Sequence, residues 1–160
     1  MNGLMAGKRG LIMGVANDHS IAWGIAKALD AAGATLAFTF QGDAFEKRVR
    51  PLAQQMGVEQ VLPCDVEDEA SLDRVFGTLK EAWGGLDFVV HAIAYSDKDE
   101  LKGPYLETTR ANFKRTLSVA CYALTAGAQR AGPMMPEDGG SLLTLSYLGG
   151  EWVTPNYNVM

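Results

Sequence analysis

Two phenols stand near the end of the sequence, in the stretch "LSYLGGEWVTPNYNVM", with Tyr147 and Tyr157 ten residues apart. A phenol donates a hydrogen bond. It can therefore steady an oxygen on which negative charge develops, as when hydride reaches a carbonyl or a double bond conjugated to one. Free tyrosine has a pKa of about 10, so proton delivery near neutrality calls for a neighbouring cation. A lysine one or two helical turns later would share its face, and the sequence reaches Met160 without one. Taken alone, the pair is better explained as amphipathic surface aromatics.

Other residues carry chemistry further upstream. "MGVANDHSIAWGIA" places Gly14 at the end of an apolar run and Ser20–Ile21 at the opening of a helical pattern. Backbone amides and a helix N-terminus hold an anion where no side chain intervenes, and Ser20 can both cap the helix and offer a hydroxyl to a phosphate. The spacing is not GxGxxG, and an ordinary strand-to-helix turn with a serine cap fits equally well. Gln41 in "FQGD" follows a second strand, where a dinucleotide site holds the adenosine ribose. No base sits beside it, and Lys47 and Arg48 come a turn or more later, which leans towards NADH over NADPH; the bland reading is a polar strand end. Asp65 and Val66 in "CDVED" can bracket an adenine, although Asp65 or Asp68 serving as a helix cap is the simpler account of that stretch alone. Ala92 and Ala94 in "HAIAYSD" would let the backbone approach a bound ribose. His91 beside them lies in an apolar strand and reads as structural, while His19 reads as a solvated loop residue. Two histidines and two scattered cysteines give no metal-ligand spacing.

These residues need a scaffold, and the sequence supplies one. "RGLIMGV", "TLAFTF", "EQVLPCD", "LDFVVHAIA" and "SLLTLSY" are strand-length runs, and the purely apolar ones suit strands buried on both faces. Helical periods lie between them. Ile21, Ile25, Leu29 and Ala32 form one stripe, ended by Gly33. Phe45, Val49, Leu52 and Met56 form another, with Asp43 and Glu46 as its start signal and a break expected at Pro51. Leu72, Val75, Phe76, Leu79, Ala82 and Trp83 form a third, ended by Gly84 and Gly85. A longer helix is expected over about 109–131 with Phe113, Leu117, Cys121 and Leu124 on one face. Strand–helix alternation with right-handed crossovers predicts an α/β doubly wound parallel sheet, Rossmann-like, of strand order 3-2-1-4-5 and incomplete at its C-terminal edge.

The totals agree with one domain. The chain has 160 residues, 48% hydrophobic and 21% charged, with a net charge of -5, a globular composition. The absence of a Lys/Arg-rich run argues against nucleic acid as a partner, and the absence of an apolar stretch of about 18 residues argues against a membrane span. The start resembles a signal peptide only weakly and reads as a first strand. Cys64 and Cys121, without CxxC spacing, fit unpaired thiols in a reducing cytoplasm.

Taken together, "GVANDHSIAWGIAKAL", "GATLAFTFQGD", "CDVED", "HAIAYSDKDELKGPY" and "LLTLSYLGGEWVTPNYNVM" resemble the NADH-dependent enoyl-[acyl-carrier-protein] reductases of bacterial fatty-acid synthesis, a divergent branch of the short-chain dehydrogenase/reductase family. The resemblance covers essentially the whole chain. It implies that Tyr157 is the phenol aimed at the thioester carbonyl and that Tyr147 lines the acyl pocket where most relatives place a serine, with Ser146 as runner-up. It implies that Gly14, Val15, Ser20 and Ile21 form the phosphate-binding loop, that Gln41 contacts the adenosine ribose and Asp65 and Val66 the adenine. Ala92, Ile93 and Ala94 would then lie beside the nicotinamide-side ribose. The family often has Ser-Ile-Gly there, so Ala94 is a departure that should crowd the pocket modestly.

The implied reaction is reduction of a trans-2-enoyl thioester on acyl carrier protein by hydride from NADH, in the cytoplasm, by a full-length homotetramer. The family pattern Tyr-x-x-Met-x-x-x-Lys is matched at Tyr157 and Met160, and its lysine would fall four positions after Met160. The resemblance thus reads the chain as the N-terminal portion of a single dinucleotide-binding reductase domain, inactive as residues 1–160 alone. The alternatives are a ketone-reducing short-chain dehydrogenase, or a catalytically inactive NAD-binding fragment.

Overall fold

The computed structural model describes residues 3–160. Five strands, β1 (Arg9–Met13), β2 (Thr35–Phe40), β3 (Gln60–Pro63), β4 (Phe88–His91) and β5 (Ser141–Thr144), form one parallel sheet of order β3-β2-β1-β4-β5, as expected from the sequence. Helices α1 (Ile21–Ala31), α2 (Gly42–Met56) and α3 (Glu69–Trp83) alternate with the strands. A longer helical stretch precedes β5. It comprises α4 (Arg110–Leu117), a π-helical turn (Ser118–Tyr122) and α5 (Ala123–Ala131).

The alternation of side chains along β1 builds both cores. Ile12 faces one side with Trp23, Phe38, Val49, Leu52 and Val90, under α1 and α2. Leu11 and Met13 face the other with Leu72, Val75, Phe76, Leu79 and Val89, under α3 and α5. All thirteen of these core residues are under 10% exposed, which is why the central strands read as unbroken apolar runs. At the other extreme every residue of β5 is exposed, with Leu142 and Leu143 at 46% each. An ion pair of Lys8 Nζ with Asp87 Oδ1 at 2.9 Å, and donation by Arg9 N to Asp87 Oδ2 at 2.8 Å, tie β1 to the start of β4. Burial pushes the Asp87 carboxyl up, but the hydrogen bonds from Lys8 and the Arg9 amide outweigh it and hold the group low.

Several local expectations need correction. Helix α2 runs through Pro51 to Met56 without the expected break. An interior proline costs about 3 kcal/mol, yet Leu52 and Ala53 beside it are buried against the β2–β3 face and Pro51 itself is exposed, so tertiary packing outweighs propensity. Asp43 does not start that helix. It begins at Gly42, with Gln41 at the cap position and no side-chain cap. Gly42 has φ 74°, a left-handed turn that swings the chain from strand to helix at little cost only for glycine. The α1 stripe is only partly the expected one: Ile25 and Leu29 pack against the core, but Ala22, Trp23 and Ala26 are the buried residues and Ile21 is 68% exposed. The stripe on α4–α5 is also turned. Phe113, Leu117 and Cys121 face solvent, and the buried side is Asn112, Thr116, Val119, Ala123, Ala126, Gly127 and Ala131.

Candidate active site

Strands β2 and β4 flank β1, so successive crossovers leave β1 in opposite directions and a crevice opens beyond the strands' carboxyl ends. A cleft of about 630 Å³ lies there. Its walls come from the segments just after β1, β2, β3 and β4 and from the face of the π-helical turn. Gly14, Val15, Gln41, Val66, Ala92, Ile93 and Ala94 all line it. Ser20, Ile21 and Asp65, the other residues expected to hold a cofactor, do not.

The Gly14 turn lets two walls of the cleft meet closely. Gly14 has φ 107°, and a Cβ there would run into the Ala92 carbonyl oxygen and stand 2.6 Å from its carbonyl carbon. The backbones leaving β1 and β4 are in direct contact, with a hydrogen bond from Ala92 N to Met13 O at 2.9 Å. No side chain fits between them.

Ser20 caps α1 as expected. Its Oγ accepts from Trp23 N at 3.4 Å and from Ala16 N at 3.4 Å, and it donates to Asn17 O at 2.7 Å. The hydroxyl proton is thus committed within the loop. What this end of α1 presents to an anion is its first turn of backbone amides, which have no partner inside the helix. Ile21 belongs to that turn through its backbone, with its side chain outside. Asp68 takes the capping role on α3, accepting from Ala70 N at 3.0 Å. Asp65 uses Oδ1 to accept from Glu67 N at 2.9 Å, a local turn that places Val66 in the cleft wall.

Several cleft residues gave no signal of their own in the sequence. Phe45 was read only as part of a helical stripe, and Arg48 lies over its ring at 5.9 Å. Tyr95, Arg115 and Val119 complete the opposite wall. Arg115 approaches Glu67 at 3.7 Å and Asp97 at 3.9 Å; both belong to loops that border the cleft. The Val119 position depends on the π turn, a distortion common at functional sites that periodicity does not reveal. Cys64 also lines the cleft, and burial pushes its thiol up to about 11, so it is not a nucleophile.

The two tyrosines meet. Their ring centroids are 5.4 Å apart with planes inclined at 47°, and Tyr147 donates to Met160 O at 3.2 Å. Each ring is nearly half exposed, and neither lines the cleft. Both follow β5, whose Thr144 pairs in register with His91 of β4. The phenols therefore emerge at the same carboxyl-end edge of the sheet as Ala92–Ala94. His91 itself is 2% exposed, with Nδ1 3.3 Å from Thr144 Oγ1 and Nε2 without a partner among the described residues. Burial holds it below the usual imidazole range, which fits the structural reading. His19 is exposed beside Asp18, as expected. Among the described residues no group of three His, Cys, Asp or Glu side chains is placed to hold a metal ion. No helix among them is long and apolar enough to cross a membrane.

This arrangement has close counterparts. The Rhizobium meliloti (strain 1021) protein named enoyl-[acyl-carrier-protein] reductase [NADH] 2 is 62% identical over 160 residues, which is 100% of this chain and 59% of that protein. The Bacillus subtilis (strain 168) enoyl-[acyl-carrier-protein] reductase [NADH] FabI is 47% identical over 100% of this chain and 62% of its own length. Among solved structures, the Anaplasma phagocytophilum enoyl-(acyl-carrier-protein) reductase, in complex with NAD, superposes with a TM-score of 0.95 at 54% identity, covering 100% of this chain and 61% of that one. FabI from Candidatus Liberibacter asiaticus superposes at 0.96 with 54% identity, covering 100% and 62%. The chain thus spans about three fifths of the length of these relatives. The sequence model of the Enoyl-(Acyl carrier protein) reductase family matches residues 14–160, from the Gly14 turn through both phenols, and the chain belongs to that family.

Proposed function

We propose that these residues form the dinucleotide-binding domain, with the catalytic phenol, of an NADH-dependent enoyl-[acyl-carrier-protein] reductase. The observation that carries the reading is the pairing of the Gly14 cleft with the Tyr147–Tyr157 ring contact at one edge of the sheet. NADH fits what is present. The Gly14–Ala16 loop lines the cleft, where a pyrophosphate can approach its backbone, and α1 follows that loop with its first amides unpaired inside the helix. Gln41, with no capping duty, is the ribose ligand. Val66 packs on the adenine, and Asp65 holds the turn that places it through the Glu67 amide, while Ala92, Ile93 and Ala94 border the nicotinamide-side ribose. When bound, NADH supplies the hydride that reduces the β-carbon of the enoyl thioester.

The chain's own part is to hold the acyl group and its oxygen. The Tyr157 hydroxyl donates to the thioester carbonyl, and the bond strengthens as that oxygen gains charge. Tyr147, packed against it at a tilt, fixes the ring and walls the acyl group. The partner is acyl carrier protein, the setting is the cytoplasm, and the working form is a homotetramer to which the exposed Phe113–Leu117 face of α4 contributes. The relatives named above are enoyl reductases, which favours this reading over a ketone reductase. The NADH-binding, non-catalytic reading stays in force for residues 1–160 by themselves, because a phenol without its cationic neighbour is a poor proton donor.

The test is enoyl-thioester-dependent NADH oxidation by the full-length gene product. Tyr157→Phe should lower kcat by about 10²–10³, the usual effect of removing one donor to a developing oxyanion, with NADH affinity retained. Wild-type turnover in Tyr157→Phe refutes the assignment. Turnover at wild-type rates by residues 1–160 alone refutes the need for a cation.

A further inference from the structure

The residue after the catalytic phenol does something the reaction itself does not require. Asn158 is half-buried, and its Nδ2 donates to Glu100 O at 2.8 Å, with Gly103 O at 3.4 Å and Lys102 O at 3.5 Å behind it. On the other side of Tyr157, Asn156 has φ 63°, a left-handed conformation that few non-glycine residues adopt. The phenol is thus carried on a tight reversal whose far end is tethered to the loop that follows β4.

That loop is anchored in turn. The Glu100 carboxylate accepts from Thr109 N at 2.9 Å and Thr109 Oγ1 at 2.7 Å, and these two bonds hold its carboxyl below the ordinary range. Thr109 caps α4 by accepting from Asn112 N at 3.1 Å. Asn112 is 1% exposed, and its Oδ1 accepts from Asp97 N at 2.8 Å while its Nδ2 donates to Ser96 Oγ at 3.1 Å. Thr116, also 1% exposed, donates to the same Ser96 Oγ at 3.0 Å. Ser96 directly follows Ala94 and Tyr95 of the cleft wall. A connected set of hydrogen bonds, dry through its middle, therefore runs from the cofactor cleft to the residue beside the phenol. Such networks are stiff when every member is satisfied.

We propose that Asn158 is a positioning residue for Tyr157, acting through the Glu100 carbonyl and the 96–109 segment, so that the phenol and the cleft wall are held in one register. The inference rests on the role given above to Tyr157. Asn158 does not line the cleft; its role is to set where the phenolic hydroxyl sits. A displacement of about 1 Å at a reacting group can cost about 10²-fold in rate, so one tether is enough to matter.

Asn158→Asp tests this in the full-length gene product. It keeps the side chain's size but places a carboxylate oxygen against the Glu100 carbonyl in place of a donor. The expected result is a kcat lowered about tenfold or more, with the NADH dissociation constant from fluorescence titration within about twofold of the parent. Deuterium uptake should rise in peptides covering residues 97–109, and Asn158→Gln, which keeps the donor, should recover part of the loss. Glu100→Ala should lower kcat in the same way, and the double variant should lose about as much as the worse single variant, because both act through one segment. Parent-like kcat in Asn158→Asp, or NADH affinity falling in step with kcat, overturns the proposal. A parent that turns over and loses activity with Tyr157→Phe, yet ignores Asn158→Asp, sinks this inference alone. A parent with no enoyl reductase activity sinks both readings.

Discussion

Replacing Gly14 by alanine probes the close approach of the two backbones that leave β1 and β4. The new Cβ meets two obstacles. Its φ of 107° lies where L-residues are strained, at about 1–2 kcal/mol. Its nearest neighbours are backbone atoms, with the Ala92 carbonyl carbon at 2.6 Å where about 3.5–4.0 Å is comfortable. An opening of about 1 Å is therefore needed, and it must come from the β1–β4 ladder. The Ala92 N to Met13 O bond at 2.9 Å is the first to stretch, at about 0.5–1.5 kcal/mol. Together these cost about 2–3 kcal/mol. At about 2–4 °C per kcal/mol for a domain of this size, Tm should fall about 5–10 °C. The same opening displaces the amides that face the pyrophosphate, so NADH should bind at least about tenfold more weakly, a loss of about 1.4 kcal/mol. Gly24 is the internal control. It lies inside α1 with open space around a Cβ, and alanine there should stabilise by about 0.5–1 kcal/mol with NADH affinity unchanged. The assays are a thermal melt and a fluorescence titration on the full-length gene product. If Gly14→Ala melts and binds like the parent, the close approach of these two backbones is not what shapes the cleft.

Two further outcomes follow from buried polar groups. Asn112→Ala removes a partner from the Ser96 hydroxyl and the Asp97 amide, which should destabilise by about 1–3 kcal/mol in a denaturant melt; a change below about 0.5 kcal/mol, typical of a surface site, would contradict a dry network there. His91 is held below its ordinary value of 6.5 by burial, so below that pH the unfolded chain binds more protons than the folded one. Its contribution is fully present above pH 6.5 and is lost as pH falls towards the folded value. Stability measured by urea should therefore decline on acidification from that point, and His91→Gln should flatten the slope; an unchanged slope refutes the burial argument.

The features legible in the sequence are those where one residue type answers one physical need. Consecutive apolar residues in β1, β2 and β4 had to be strands covered on both faces, and the crossovers then left one sheet order. Ser20 and Gly84 end or begin helices because of what their own backbone or hydroxyl can do. What stayed hidden needs a partner from elsewhere in the chain. Ser96, Asn112 and Thr116 look like ordinary loop and helix residues until the fold brings Ser96 sixteen and twenty positions back onto α4. Asn158 is no more conspicuous than its neighbours in "PNYNVM" until Glu100, fifty-eight residues away in sequence, is placed against it. Phe45 reaches the cleft from the first turn of α2 and Val119 from the π turn before β5, placements that periodicity does not announce.

The reversed face of α4–α5 has the same kind of cause. Large apolar residues at Phe113, Leu117 and Leu124 suggested an inward stripe, since side-chain size dominates any periodicity argument. The helix instead lies close to α3, with Ala123, Ala126, Gly127 and Ala131 inward. A Cβ on Gly127 would already be 4.0 Å from the Phe76 ring, so larger side chains on that face would have to push the helix off the sheet. Small residues bury here because the backbones are near; Phe113 and Leu117 are left facing out and Leu124 is only partly buried. At the neighbouring edge Tyr147 and Tyr157 are also left nearly half exposed, with their rings packed against each other.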